Sequence, residues 1–172
     1  MGAAGVVAMG FAYPGPGHLD RLVAAAATLE SGSVRRPMDR FIGAVGELEL
    51  GEWEELHTVT CDLSPHFVPY VGHVTWGENY RRGEFMADLK ADMEIHGVEL
   101  NGELPDHIEV ILRYIDVVPE PRKDLMDALP DAVASMSHTL SKASADNPYR
   151  QLLAATAAAV GEPSPVKIGA RR

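Results

Sequence analysis

Residues Gly102 to Val118 read G-E-L-P-D-H-I-E-V-I-L-R-Y-I-D-V-V. Apolar side chains recur at Ile108, Ile111, Leu112, Ile115 and Val118. That is the three-and-four spacing of one buried helix face. Ahead of this face stand Glu103, Leu104, Pro105, Asp106 and His107. Proline at a first helical position gives up no needed N–H, so a helix is expected from Leu104 to Val118 with Pro105 near its start. Acidic residues in such a first turn face the positive end of the helix dipole, a gain of about 0.3–1 kcal/mol each. His107 gains nothing there as a cation. It is either neutral and buried against the backbone, or placed for a partner.

The same period extends outward in both directions. Leu19, Leu22, Val23 and Ala26 mark a helix over His18–Glu30. Met38, Phe41, Ile42, Val45 and Leu48 mark another opened by Pro37, and Trp53 and Leu56 a short one over Glu52–Thr60. Phe85, Met86, Leu89 and Met93 form the stripe of Glu78–His96, closed by Gly97. Leu125, Leu129, Val133, Met136 and Leu140 run through Arg122–Ala143, where Pro130 predicts a kink or two successive helices. Asn147-Pro148 caps a last helix to Val160, with Leu152, Leu153 and Ala157 inward. Between these lies His66–Trp76, rich in aromatic and β-branched residues. It is read as a helix broken near Pro69 and Gly72, because no second strand is available to pair with it. Ser64 and Pro65 are read as its cap and first-turn proline.

These segments predict an all-α fold, a single-domain bundle of about eight helices over residues 1–161, with residues 162–172 a disordered tail. The length of 172 residues suits one domain. Cys61 is the only cysteine, so no intrachain disulfide or multi-cysteine metal site can form. The net charge of −10 argues against nucleic acid and leaves room for a basic partner. Met1–Met9 is apolar but short, without a positively charged flank. The expected location is cytoplasmic, with no membrane insertion.

No phosphate loop or His-Glu-x-x-His zinc motif is present. No nucleophile elbow is found. Asp62 beside Cys61 would raise the thiol pKa, the wrong direction for a nucleophile. A core cysteine is the better reading, and no catalytic residue, metal ligand or enzymatic activity is expected. Two polar and aromatic clusters remain. One is Tyr70, His73, Trp76, Gly77, Tyr80, Arg81, Arg82 and Gly83. The other is Glu103 to His107. Core filling accounts equally well for Tyr70 and Trp76, and a solvated helix face for Arg81 and Arg82.

The two clusters also carry a resemblance. Thr60-Cys61-Asp62-Leu63, Gly77-Glu78, Arg82-Gly83, Gly97-Val98-Glu99-Leu100 and Glu103-Leu104-Pro105-Asp106-His107 occur in that order, after Tyr13-Pro14. The order resembles the TorD/DmsD/NarJ redox-enzyme maturation chaperones, and most of all the nitrate reductase delta-subunit, NarJ-like branch. The resemblance implies a TorD-like helical chaperone that binds the catalytic subunit of a molybdenum oxidoreductase, nitrate reductase first among them, at its N-terminal leader. Such a chaperone would hold the subunit for insertion of bis-molybdopterin guanine dinucleotide and for complex assembly, binding no cofactor stably itself. The client-peptide site it suggests comprises Glu103, Pro105, Asp106, His107, Tyr70, His73, Trp76 and Arg82. Alternatives are a peptide-binding adaptor for another assembly partner, or a maturation chaperone for a different enzyme of the DMSO-reductase family. An acidic chaperone attracts a basic leader at long range, and an apolar groove supplies the holding contact.

Overall fold

The computed structural model describes residues 1–62 and 66–161. Among them the chain forms nine α-helices, a π-helical turn and no strand: α1 Ala3–Phe11, α2 His18–Ala26, α3 Arg35–Gly46, α4 Leu50–His57, the π-turn Thr58–Asp62, α5 Val71–Trp76, α6 Tyr80–Ile95, α7 Ile108–Val117, α8 Lys123–Ala143 and α9 Tyr149–Gly161. The all-α expectation holds. The expected cap at Ser64 and Pro65 and the expected tail at 162–172 lie outside the described residues.

The apolar run from Ile108 forms a buried helix of the bundle. Ile108, Val110, Ile111, Leu112, Tyr114 and Ile115 of α7 are all buried. Fully burying each such aliphatic side chain contributes roughly 1.5–3 kcal/mol. Helix α1 packs along α7, and α9 packs against α1, α3 and α8. Helix α1 comes from the apolar N-terminal stretch that sequence periodicity left unassigned. It is apolar nearly all round, with Ala4 to Ala8, Gly10 and Phe11 buried, as a core helix must be. Its first-turn donors need partners, and α7 supplies one: Asp116 accepts from the Gly2 N–H at 3.0 Å and the Gly5 N–H at 2.9 Å. A Cβ on Gly10 would stand 2.5 Å from Leu152 Cδ1, so glycine there sets the α1–α9 separation.

Helix α8 is one helix with Pro130 inside it, and not two in sequence. A proline in a helix interior costs about 3 kcal/mol. The buried stripe of Leu125, Leu129, Val133, Met136 and Leu140 runs across it and offsets that cost. Two inward assignments are corrected. Ala157 faces outward, its place taken by Ala155, Thr156 and Ala159, and Val23 is exposed. Asn147 caps α9 as expected, accepting from the Tyr149 N–H at 2.9 Å, and its amide also donates to buried Thr60 at 2.9 Å. Cys61 is buried, and desolvation first, then Asp62, pushes its thiol pKa up. No described helix is long and apolar enough to cross a membrane.

Candidate functional site

Residues 66–69 are not helical, and Tyr70 pairs with His107 in an isolated antiparallel bridge. The Val71 N–H donates to the Asp106 carbonyl at 2.8 Å, and the Ile108 N–H to the Pro69 carbonyl at 2.8 Å. The segment rich in aromatic and β-branched residues thus does find a pairing partner. That partner is the Asp106–Ile108 stretch, which no strand pattern announces. Helix α5 then begins at Val71, so His66 and His73 do not share a helix.

The bridge also corrects the expected start of α7. With Asp106 and Ile108 held by 69–71, the backbone at His107 is extended (φ −66°, ψ 135°), and the helix starts at Ile108. Pro105 is therefore not at a first helical position, and Glu103 and Asp106 are not in the first turn. They lie in turns where the Glu103 N–H reaches the Leu100 carbonyl and the His107 N–H the Leu104 carbonyl. The cap is His107 itself, whose Nδ1 accepts from the Glu109 N–H at 3.3 Å. An accepting Nδ1 requires an unprotonated nitrogen. The environment agrees, because desolvation lowers the His107 pKa, against the opposing carboxylates of Glu103, Glu109 and Asp106. His107 is buried, neutral and a backbone acceptor.

Asp106 is fully buried, and its counterion comes from α6. Arg82 Nε donates to Oδ2 at 2.9 Å and Nη2 to Oδ1 at 3.4 Å, with the Arg82 side chain 12% exposed. Two-point contact of this kind fixes geometry as well as charge. Gly72 makes room for it. A Cβ there would sit 2.6 Å from Asp106 Oδ2 and 3.2 Å from Arg82 Cγ. The guanidinium continues outward to Glu78 Oε1 at 3.4 Å, and His73 Nδ1 donates to that same oxygen at 2.9 Å. The Arg82 guanidinium carbon lies 5.7 Å from the Tyr70 ring centroid, a cation–π distance. The Tyr70 ring meets His107 edge-on at 5.3 Å, and its hydroxyl donates to Glu103 at 3.4 Å. Burial and Glu103 both raise the Tyr70 pKa.

Seven of the eight candidate residues are therefore neighbours. Tyr70, Arg82, Glu103, Asp106 and His107 are linked by direct contacts, and His73 joins through Glu78. Pro105 is buried in the same turn. Trp76 stands apart from this network, its ring packed on Phe85 at 4.7 Å. The surface presented is Glu103, with Tyr70 and His73 half-buried beside it. Asp106, His107 and Pro105 lie beneath. Sequence reasoning missed Gly72, which carries no chemistry of its own, and the joining role of Glu78. Among the described residues no three His, Cys, Asp or Glu side chains are grouped to hold a metal.

No family model matches the chain. Over 45 residues it is 47% identical to the nitrate reductase molybdenum cofactor assembly chaperone NarJ of Escherichia coli (strain K12), and equally to that of Escherichia coli O157:H7. The matched stretch is 26% of this chain and 19% of each relative, so the chain spans about a fifth of the length of the curated relatives it matches.

Proposed function

We propose that the chain is an assembly chaperone for the catalytic subunit of a molybdenum oxidoreductase, with nitrate reductase the first candidate client. The observation that carries this reading is the 47% identity to chaperones of that name. The order of sequence motifs and the all-α fold support it. On this reading the protein carries no reaction of its own, works in the cytoplasm and holds the client while its cofactor is inserted. The client's N-terminal leader docks on the surface of Tyr70, Glu103 and His73.

On this reading the candidate residues divide the labour. Exposed Glu103 offers a carboxylate to a basic leader residue, and the half-buried Tyr70 ring offers an apolar and hydrogen-bonding face. Exposed ion pairs contribute only about 0–1 kcal/mol each, so the charge steers encounter. Buried Asp106 fastens the segment beside Tyr70, its carbonyl accepting from the Val71 N–H and its carboxylate paired with Arg82. The test is calorimetric titration of the full-length protein with a synthetic client leader peptide. Glu103→Lys and Tyr70→Ala should each weaken binding while leaving the helical circular dichroism unchanged. Unchanged affinity in both variants would remove the leader from this surface.

A further inference from the structure

Gly97, Val98 and Glu99 of the Gly97–Leu100 motif take no part in the surface just described. These three residues form one wall of a separate groove of about 830 Å³ between α1 and α7. Ala8 and Met9 of α1, Val98 of the motif and Val117 of α7 supply its apolar lining. Val117 is 54% exposed although it ends a helix with six buried residues. The volume is that of a ligand-sized cleft.

The charged lining has one sign in excess. Glu99, Glu109 and Asp116 face Arg113, and Met1 with its N-terminal amine and His96 also stand on the lining, so carboxylates outnumber the fixed cations three to two. That arginine is committed: it contacts Glu109 at 2.6 and 3.1 Å and the Glu99 carbonyl at 2.7 Å. Asp116 is half-used, accepting from two backbone N–H groups of α1. The Glu99 carboxylate is exposed and makes no hydrogen bond or ion pair among the described residues. An incoming cation therefore meets the exposed Glu99 carboxylate on a lining where carboxylates are in excess. The long flanks of the groove are helices, which offer no sheet edge. An extended chain lying between them would leave its own N–H and C=O groups unpaired, whereas a helix satisfies its backbone internally.

We infer that this groove is a second docking surface, and that it takes an amphipathic helix with an apolar stripe and flanking arginine or lysine. The stripe lies on Met9, Val98 and Val117, and the cation sits over Glu99. This surface is separate from the Tyr70–Glu103 surface, and it does not require the partner to be a molybdenum-enzyme subunit.

The probe is a fluorescent synthetic helix with leucines at i, i+3, i+4 and i+7 and arginines on its flank, titrated into the full-length protein by anisotropy. Saturable binding is expected, and added salt should weaken it. Val117→Asp should weaken it by about tenfold, as for a central apolar contact. Glu99→Lys should weaken it by about threefold, as for an exposed charge. Replacing the arginines of the probe by glutamates should have the same sign. Both substituted residues are exposed, and circular dichroism of each variant verifies the fold. Absence of saturable binding overturns the inference, as does binding indifferent to Val117→Asp. Binding that survives Val117→Asp but is lost in Glu103→Lys also overturns it, and moves the helix to the surface assigned to the leader.

Discussion

Removing the Asp106 carboxylate is the most informative single perturbation of this molecule. Asp106 is fully buried, and its countercharge among the described residues, Arg82, is itself only 12% exposed. Asp106→Ala leaves the guanidinium with Glu78 at 3.4 Å and an 80%-exposed carboxylate as its remaining ionic partner. Breaking a buried pair by deleting one member costs about 3–5 kcal/mol. Against a typical total stability of about 5–15 kcal/mol, that is a large share. At roughly 2–4 °C per kcal/mol for a chain of this size, the midpoint should fall by about 6–20 °C. Arg82→Ala should cost at least as much, since it strands the deeper charge. The double variant Arg82→Ala with Asp106→Ala should be no worse than the poorer single, because the cost comes from the orphaned ion. Denaturant melts followed by circular dichroism give all four corners of the cycle. Two single variants within ~0.5 kcal/mol of the parent, as for ordinary surface substitutions, would refute the ion pair as the fastening between α6 and the start of α7. The same magnitude means that loss of peptide binding in an Asp106 variant would report on folding before it reported on contact.

Gly72→Ala should also destabilise, because its Cβ would press on Asp106 Oδ2 at 2.6 Å; a thermal melt equal to the parent's would contradict that crowding. Folding lowers the pKa of both His57 and His107 from the ordinary 6.5. As pH falls through that value the unfolded chain takes up protons that the folded chain resists, so stability should decline with acidification. His107→Asn keeps a capping acceptor without a titrating ring, and urea midpoints compared at about pH 7.5 and about pH 5.5 should show a smaller drop for it. Asn147→Ala removes both the α9 cap and the bond to Thr60, and should cost about 1–2 kcal/mol in the same melts.

The helices were legible because burial is written as a period. The α7, α8 and α6 stripes could be read directly, and Asn147-Pro148 announced a capped start. What the period could not show was pairing across distance. Nothing local says that Asp106 will use its carbonyl on Val71 and its carboxylate on Arg82. Yet those contacts move the start of α7 to Ile108 and turn Pro105 from a helix opener into a buried turn residue. His107 had two open readings, and burial beside the Tyr70 ring resolves its protonation and its cap. The apolar N-terminal stretch hid α1 for a related reason: a helix apolar nearly all round has no amphipathic signature. Gly72 and Gly10 were invisible because their role is the absence of a side chain where another one stands.

The proposed role rests on a client whose cofactor depends on this protein, and the direct measurement is the molybdenum content of that client. The catalytic subunit of the candidate reductase, purified from cells lacking this protein, should contain less molybdenum per polypeptide than from parental cells. A wild-type copy should restore it, and a copy carrying both Glu103→Lys and Tyr70→Ala should restore it poorly. A fully loaded, active catalytic subunit from cells lacking the protein would contradict the account.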